Sequence, residues 1–262
     1  MKTVQEFSSM KLAGKKISVA TCYDHWSALI LDESDVDAVL VGDSAAMVMH
    51  GFETTINAEL EMMRYHVAAV KRGLRNKFLI ADLPFLAHKK GLAFLTNAVD
   101  VLMKAGAQAV KLEGAEQNIE SIKHLVSAGV PVMGHLGLTP QSINKLGGNK
   151  LQGNDETSSE RILRDAKLLE ESGCFSIVLE MVPTTLAKTI TETLSIPTIG
   201  IGAGVHTNGQ VLVFQDLLGC SKDFNPKFLR KYLDGFSLIK SALNSYSSDV
   251  KEQKFPSEKE SY

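Results

Sequence analysis

The chain has 262 residues, 44% hydrophobic and 22% charged, with a formal net charge of −2. That is ordinary globular composition, ample for one sizeable core and the usual length of one α/β barrel. The near-neutral balance argues against nucleic acid or an anionic membrane as partner, and no apolar run approaches the roughly 18 residues of a membrane-spanning helix.

The opening MKTVQEFSSMKLAGKK lacks the apolar centre of a secretory signal. Cys22, Cys174 and Cys220 lie far apart without paired spacing. A reducing, cytoplasmic setting is therefore expected, and a disulfide or zinc framework is not. Short apolar runs then recur along the chain. They are ISVATCYD (17–24), AVLVGD (38–43), FLIADLP (78–84), AVKLEG (109–114), PVMGHLG (131–137), SIVLEMV (176–182) and PTIGIGAG (197–204). A weaker eighth, VLVFQDLLG (211–219), could instead begin a helix. Most are rich in Val, Ile and Leu without polar alternation, as strands covered on both faces of a parallel sheet are. Between them, residues 58–73, 94–107, 115–129 and 158–173 carry apolar residues at helical spacing, each closing on a glycine. The last opens on Ser and Glu, a capping signature. Strand then helix, about eight times over, predicts a single-domain (β/α)8 TIM barrel over residues 1–245. The polar stretch 246–262 reads as a tail, mobile or serving as an oligomer arm.

Polar residues interrupt the apolar runs at a consistent place. Asp43 and Ser44 close the second, Asp82 sits late in the third, and Lys111 and Glu113 share one face of the fourth. His135 lies in the fifth and Glu180 in the sixth. A single Asp after a strand is ordinarily a turn or a helix cap. Five consecutive runs with an ionisable residue point instead to the C-terminal face of a barrel, where catalytic groups gather. Asp43, Asp82, Glu113 and Glu180 would converge there with Lys111 as the evident cation. Crowded carboxylates take up protons or bind a cation. Oxygen ligands favour Mg2+, with Mn2+ or Co2+ as substitutes.

The segments VLVGDS, ADLPF, AVKLEG, GHLGLTPQS, VLEMVP, IGIGAG and GQVLVFQDLLG, in this order over about residues 20–220, carry a resemblance. The chain resembles the ketopantoate hydroxymethyltransferase family. That resemblance implies Mg2+-dependent hydroxymethyl transfer from 5,10-methylenetetrahydrofolate to 3-methyl-2-oxobutanoate, in pantothenate biosynthesis. It implies Asp43 and Asp82 as metal ligands, with Glu113 in the metal shell directly or through water. Asp43, Ser44, Asp82 and Lys111 would bind the oxo acid, His135 would lie beside it, and Glu180 would be the proton acceptor. A homo-oligomer, a decamer, is also implied. The chain departs from the family pattern at Ala46, Asn208 and Met181, none of which removes a charged group. The rival expectation is a Mg2+-dependent carbon–carbon lyase of the isocitrate lyase type, on a related barrel. Such enzymes commonly use a Lys-Cys loop, and no cysteine here has that context.

Overall fold

The computed structural model describes residues 3–262. Contacts divide the chain into two compact units, one running to Val213 and the other from Phe214 on. The first unit is the expected (β/α)8 barrel. Its strands are β1 (Ile17–Thr21), β2 (Ala38–Val41), β3 (Phe78–Asp82), β4 (Ala109–Glu113), β5 (Val132–Gly137), β6 (Ser176–Glu180), β7 (Thr198–Ile201) and β8 (Gly209–Leu212). They close in sequence order, all neighbours parallel, with β1 pairing β8.

The sequence dictates most of the connecting helices. In α1 (Val4–Leu12), Thr3 and Glu6 form a capping box. In α2 (His25–Glu33), the Asp24 side chain accepts the Ser27 N–H at 2.9 Å. After the short α3 (Ala45–Val48), α4 (Leu60–Gly73) buries Met63, Val67 and Val70, and α5 (Leu92–Ala105) buries Leu95, Ala98, Val99 and Leu102. These spacings put one stripe against the sheet. Next come α6 (Ile119–Ser127), α7 (Ile143–Leu146), α8 (Glu156–Glu171) and α9 (Thr184–Thr193).

Two helix boundaries differ from expectation for physical reasons. Helix α8 starts before Ser158, because Asp155 is the N-cap and Ser158 is its capping-box partner. Helix α4 does end at Gly73, but not through a left-handed turn. A Cβ there would lie 2.7 Å from Ala28 Cβ, so the glycine serves the close approach of α2.

The weak eighth run, open to strand or helix, contains both: pairing ends at Leu212, and the residues beyond turn into α10 (Phe214–Leu217). In the second unit α11 (Gly235–Lys251) crosses the 245/246 boundary drawn on composition. Its cap is Asp234, whose side chain accepts the Ser237 N–H.

Inward-facing residues alternate along each strand of the barrel, as the two-residue period requires. Ile17, Val19, Ala38, Leu40, Phe78, Ile80, Ala109, Met133, Val178, Ile199 and Val211 form one core with Phe7 of α1. Phe7 is fully buried and meets Phe78 and Phe175 edge-on at 5.7 and 5.2 Å between ring centres. Both partners lie at strand beginnings, so α1 stops the N-terminal end of the barrel. Lys11 fixes the stopper: its Nζ donates to the carbonyls of Thr191, Leu194 and Ile196 at 2.9, 2.7 and 2.9 Å, at the C-terminal end of α9.

Candidate active site

Continuing the same inward parity up the strands changes the chemistry. Phe78 and Ile80 are followed by Asp82, Ala109 by Lys111 and Glu113, Met133 by His135, and Val178 by Glu180. The register places Asp82 beside Lys111 and Glu113 beside His135 across neighbouring strands. Asp43 arrives differently. Strand β2 ends at Val41, and Asp43 lies in the turn into α3, where its N–H donates to Asp82 Oδ2 at 3.0 Å. Gly42 precedes it; a Cβ there would lie 2.7 Å from Ser44 Oγ and 3.6 Å from Asp82 Oδ2.

The groups expected from sequence are therefore brought together. Asp43, Asp82, Lys111, Glu113 and His135 are all buried, whereas the Glu180 side chain is 18% exposed. Lys111 Nζ stands 2.9 Å from Asp82 Oδ1 and 3.3 Å from His135 Nδ1. His135 bridges two acids, with Nδ1 3.4 Å from Glu113 Oε1 and Nε2 3.2 Å from Glu180 Oε2. Ser44 is half-buried, and its Oγ is 2.8 Å from the Tyr23 hydroxyl.

Electrostatics set the proton positions. Burial first, then Asp82 and Glu113, hold the Asp43 carboxyl well above the usual carboxylate range, against the pull of Lys111 and the Gln141 amide. Burial alone would lower Lys111, but Asp82, Glu113 and Asp43 outweigh it and hold the ammonium charged. His135 is pushed up to about 9: burial and Lys111 act downward, while the close acids Glu113 and Glu180 prevail. The site thus holds positive charge on Lys111 and His135 among buried acids.

The donor set fits a hard cation. Asp82 Oδ1 and Glu113 Oε1 are buried yet accept no hydrogen bond, their contacts to Lys111 and His135 being off line for one. Such oxygens ordinarily find a partner. Among the described residues, no three His, Cys, Asp or Glu side chains gather tightly enough to encircle an ion. An ion held by one or two carboxylates, with water or substrate completing its shell, is the arrangement Mg2+ favours.

Two participants escaped the sequence reading. Tyr23, just past the end of β1, is buried and reaches Ser44. The strand-end rule would have found it had the phenol been counted among the polar groups. Gln141, in the turn after β5, touches both Asp43 and Glu113. Its only sequence signal was a place in the motif GLTPQS. Of the remaining histidines, His50 and His66 meet at 2.8 Å between Nε2 atoms, with His66 Nδ1 2.6 Å from the Tyr23 carbonyl. Met63 is core, while Met47 and Met49 are exposed.

Comparison with known proteins bears on the fold and the family. Solved structures of similar fold include a phosphonopyruvate hydrolase in complex with oxalate and Mg++, with a TM-score of 0.63 at 12% identity over 99% of this chain and 93% of that one. Another is 2,3-dimethylmalate lyase, a member of the PEP mutase/isocitrate lyase superfamily, at 0.59 and 15% over 97% and 99%. At these identities the likeness is one of fold. Sequence relatives are far closer. The 3-methyl-2-oxobutanoate hydroxymethyltransferase of Bdellovibrio bacteriovorus is 57% identical over the full length of both chains. That of Coxiella burnetii is 55% identical over 96% of this chain and 95% of its own. With the ketopantoate hydroxymethyltransferase profile matching residues 1–258, the chain belongs to that family.

Proposed function

We propose that this chain transfers a hydroxymethyl group from 5,10-methylenetetrahydrofolate to 3-methyl-2-oxobutanoate, giving 2-dehydropantoate for pantothenate biosynthesis. The observation that carries the reading is the buried acidic cluster Asp43, Asp82 and Glu113 around Lys111, with the Glu180–His135 pair beside it. Asp43 and Asp82 would hold Mg2+ directly, with Glu113 joining directly or through water. When bound, the ion supplies Lewis-acid polarisation of the 2-oxo group, which acidifies the C3 proton.

The chain's own groups do the rest. Glu180 takes the C3 proton; its side chain is 18% exposed where Asp43, Asp82 and Glu113 are buried, and proton transfer by a placed carboxylate accelerates such a step by roughly 10²–10⁴-fold. His135 Nε2 orients Glu180 and stabilises its charge. Lys111 Nζ balances negative charge on the substrate oxygens. Ser44, held by Tyr23, donates to the substrate carboxylate. Water releases the one-carbon unit from the folate as formaldehyde, leaving tetrahydrofolate; the nucleophilic C3 adds to the formaldehyde carbon, and the new alkoxide takes up the proton that Glu180 had accepted.

The lyase alternative rests on fold likeness alone. We also place the enzyme in the cytoplasm as a homo-oligomer, a decamer by family resemblance. Its three cysteines are free, and exposed Trp26, Ile30 and Met47 offer apolar surface to a second copy. The test of function is proton exchange. With 3-methyl-2-oxobutanoate and Mg2+ in D2O, without folate, the C3 proton signal is expected to disappear only when metal is present. No exchange, with folate and other divalent metals also tried, overturns the assignment.

A further inference from the structure

We infer that Gln141 is a positioning residue for the divalent metal: it ties down one oxygen of Asp43 and one of Glu113, leaving each carboxylate its other oxygen for the ion. The inference rests on the metal-dependent reading above and deepens it.

Gln141 lies in the turn Pro140–Ser142, which leaves the end of β5. Its side chain is buried and crosses to the ends of two other strands. Nε2 donates to Asp43 Oδ2 at 2.9 Å and to the Leu83 carbonyl at 2.9 Å, so both amide hydrogens are used. Its backbone N–H donates to Glu113 Oε2 at 3.1 Å. Reversing the amide would set its oxygen against a carboxylate and a carbonyl, so this orientation is the one the neighbours allow. The Leu83 contact fixes the amide plane, and the Asp43 contact then chooses between two otherwise equivalent carboxylate oxygens. Glu113 shows the result: Oε2 is taken, and Oε1 is buried with no hydrogen bond.

The residue type suits the task. Lysine or arginine here would compete with the cation for the same acids. A carboxylate here would set further negative charge against Asp43 and Glu113, the acids that Gln141 now contacts as a donor. A neutral amide gives direction without net charge, as partners of metal ligands commonly do.

The test uses the full chain. Mn2+ binding is measured by electron paramagnetic resonance in wild type, Gln141→Met and Gln141→Asn, with thermal melts to establish folding. Met keeps the length and loses the donors; Asn keeps the amide and withdraws it by one methylene. Both are expected to weaken Mn2+ binding by about 10–100-fold and to change the spectrum of the bound ion. If Gln141 is only a strut to Leu83, melting falls while the Mn2+ dissociation constant of the folded variant is unchanged, and the inference is overturned. If wild type binds no divalent ion, the metal reading itself fails.

Discussion

The two ends of the barrel are built from the same strands and by opposite rules. At the N-terminal end, Phe7, Phe78 and Phe175 interlock, and hydrophobic burial is fully satisfied. At the other end, two to four residues further along the same inward faces, the chain buries three carboxylates, an ammonium and an imidazole. Burying charge is unfavourable unless it is paired, and here the pairing is incomplete: Asp82 Oδ1 and Glu113 Oε1 lack hydrogen bonds. One end stabilises the fold, and that surplus permits the other to stay electrostatically frustrated and therefore reactive.

This contrast can be broken by substitution. The largest effect is expected at the reactive end: Glu180→Gln should slow C3 exchange by about 10²–10⁴-fold with little change in melting. Near-normal exchange would remove Glu180 from the role of base. At the apolar end the pattern should invert. Phe7→Ala should lower unfolding free energy by about 3–5 kcal/mol in denaturant titrations, while exchange per folded molecule stays near wild type. A matching loss of activity would mean that the two ends are coupled.

Two finer tests sharpen the comparison. Met181 follows Glu180 with φ of 48°, a left-handed conformation that disfavours a side chain by roughly 1–2 kcal/mol. Met181→Gly should change stability by less than about 1 kcal/mol, because relief of strain offsets added chain entropy. The exchange rate should fall by more than stability does, since the turn that aims Glu180 has loosened. The smallest effect concerns pH. Burial, aided by Lys89 and opposed by Glu113, lowers His88 from 6.5 to about 4. Between those values the unfolded chain binds more protons than the native state, so stability is lost as pH falls through this window. His88→Gln should shrink the drop in melting temperature between about pH 7 and about pH 5; an unaltered drop would acquit His88.

The barrel was legible because its signals are local. Runs such as AVLVGD and AVKLEG declare buried parallel strands, and Gly106, Gly129 and Gly173 close helices with positive φ. The charged members of the site were legible because residue type and strand-end position suffice to flag Asp43, Asp82, Lys111, Glu113, His135 and Glu180. Tyr23 was missed because a phenol was not counted among the polar strand-end groups, and Gln141 because its importance lies in long-range geometry. Gln141 meets Asp43 across 98 residues, and a neutral amide in a turn carries no mark of that partner. The eighth run stayed open between strand and helix for a related reason. QVL pairs with β1 by backbone register, and the apolar residues beyond it belong to a helix instead.

Lys11 brings time into the picture. Its three carbonyl partners lie 180, 183 and 185 residues downstream. The helix carrying the barrel's stopper is thus synthesised well before the segment that fixes it. At ribosomal speeds of roughly 5–20 residues per second, it waits some 10–40 s for α9. Throughout that interval Phe7 has no completed floor to enter, so the nascent chain carries an exposed aromatic hook.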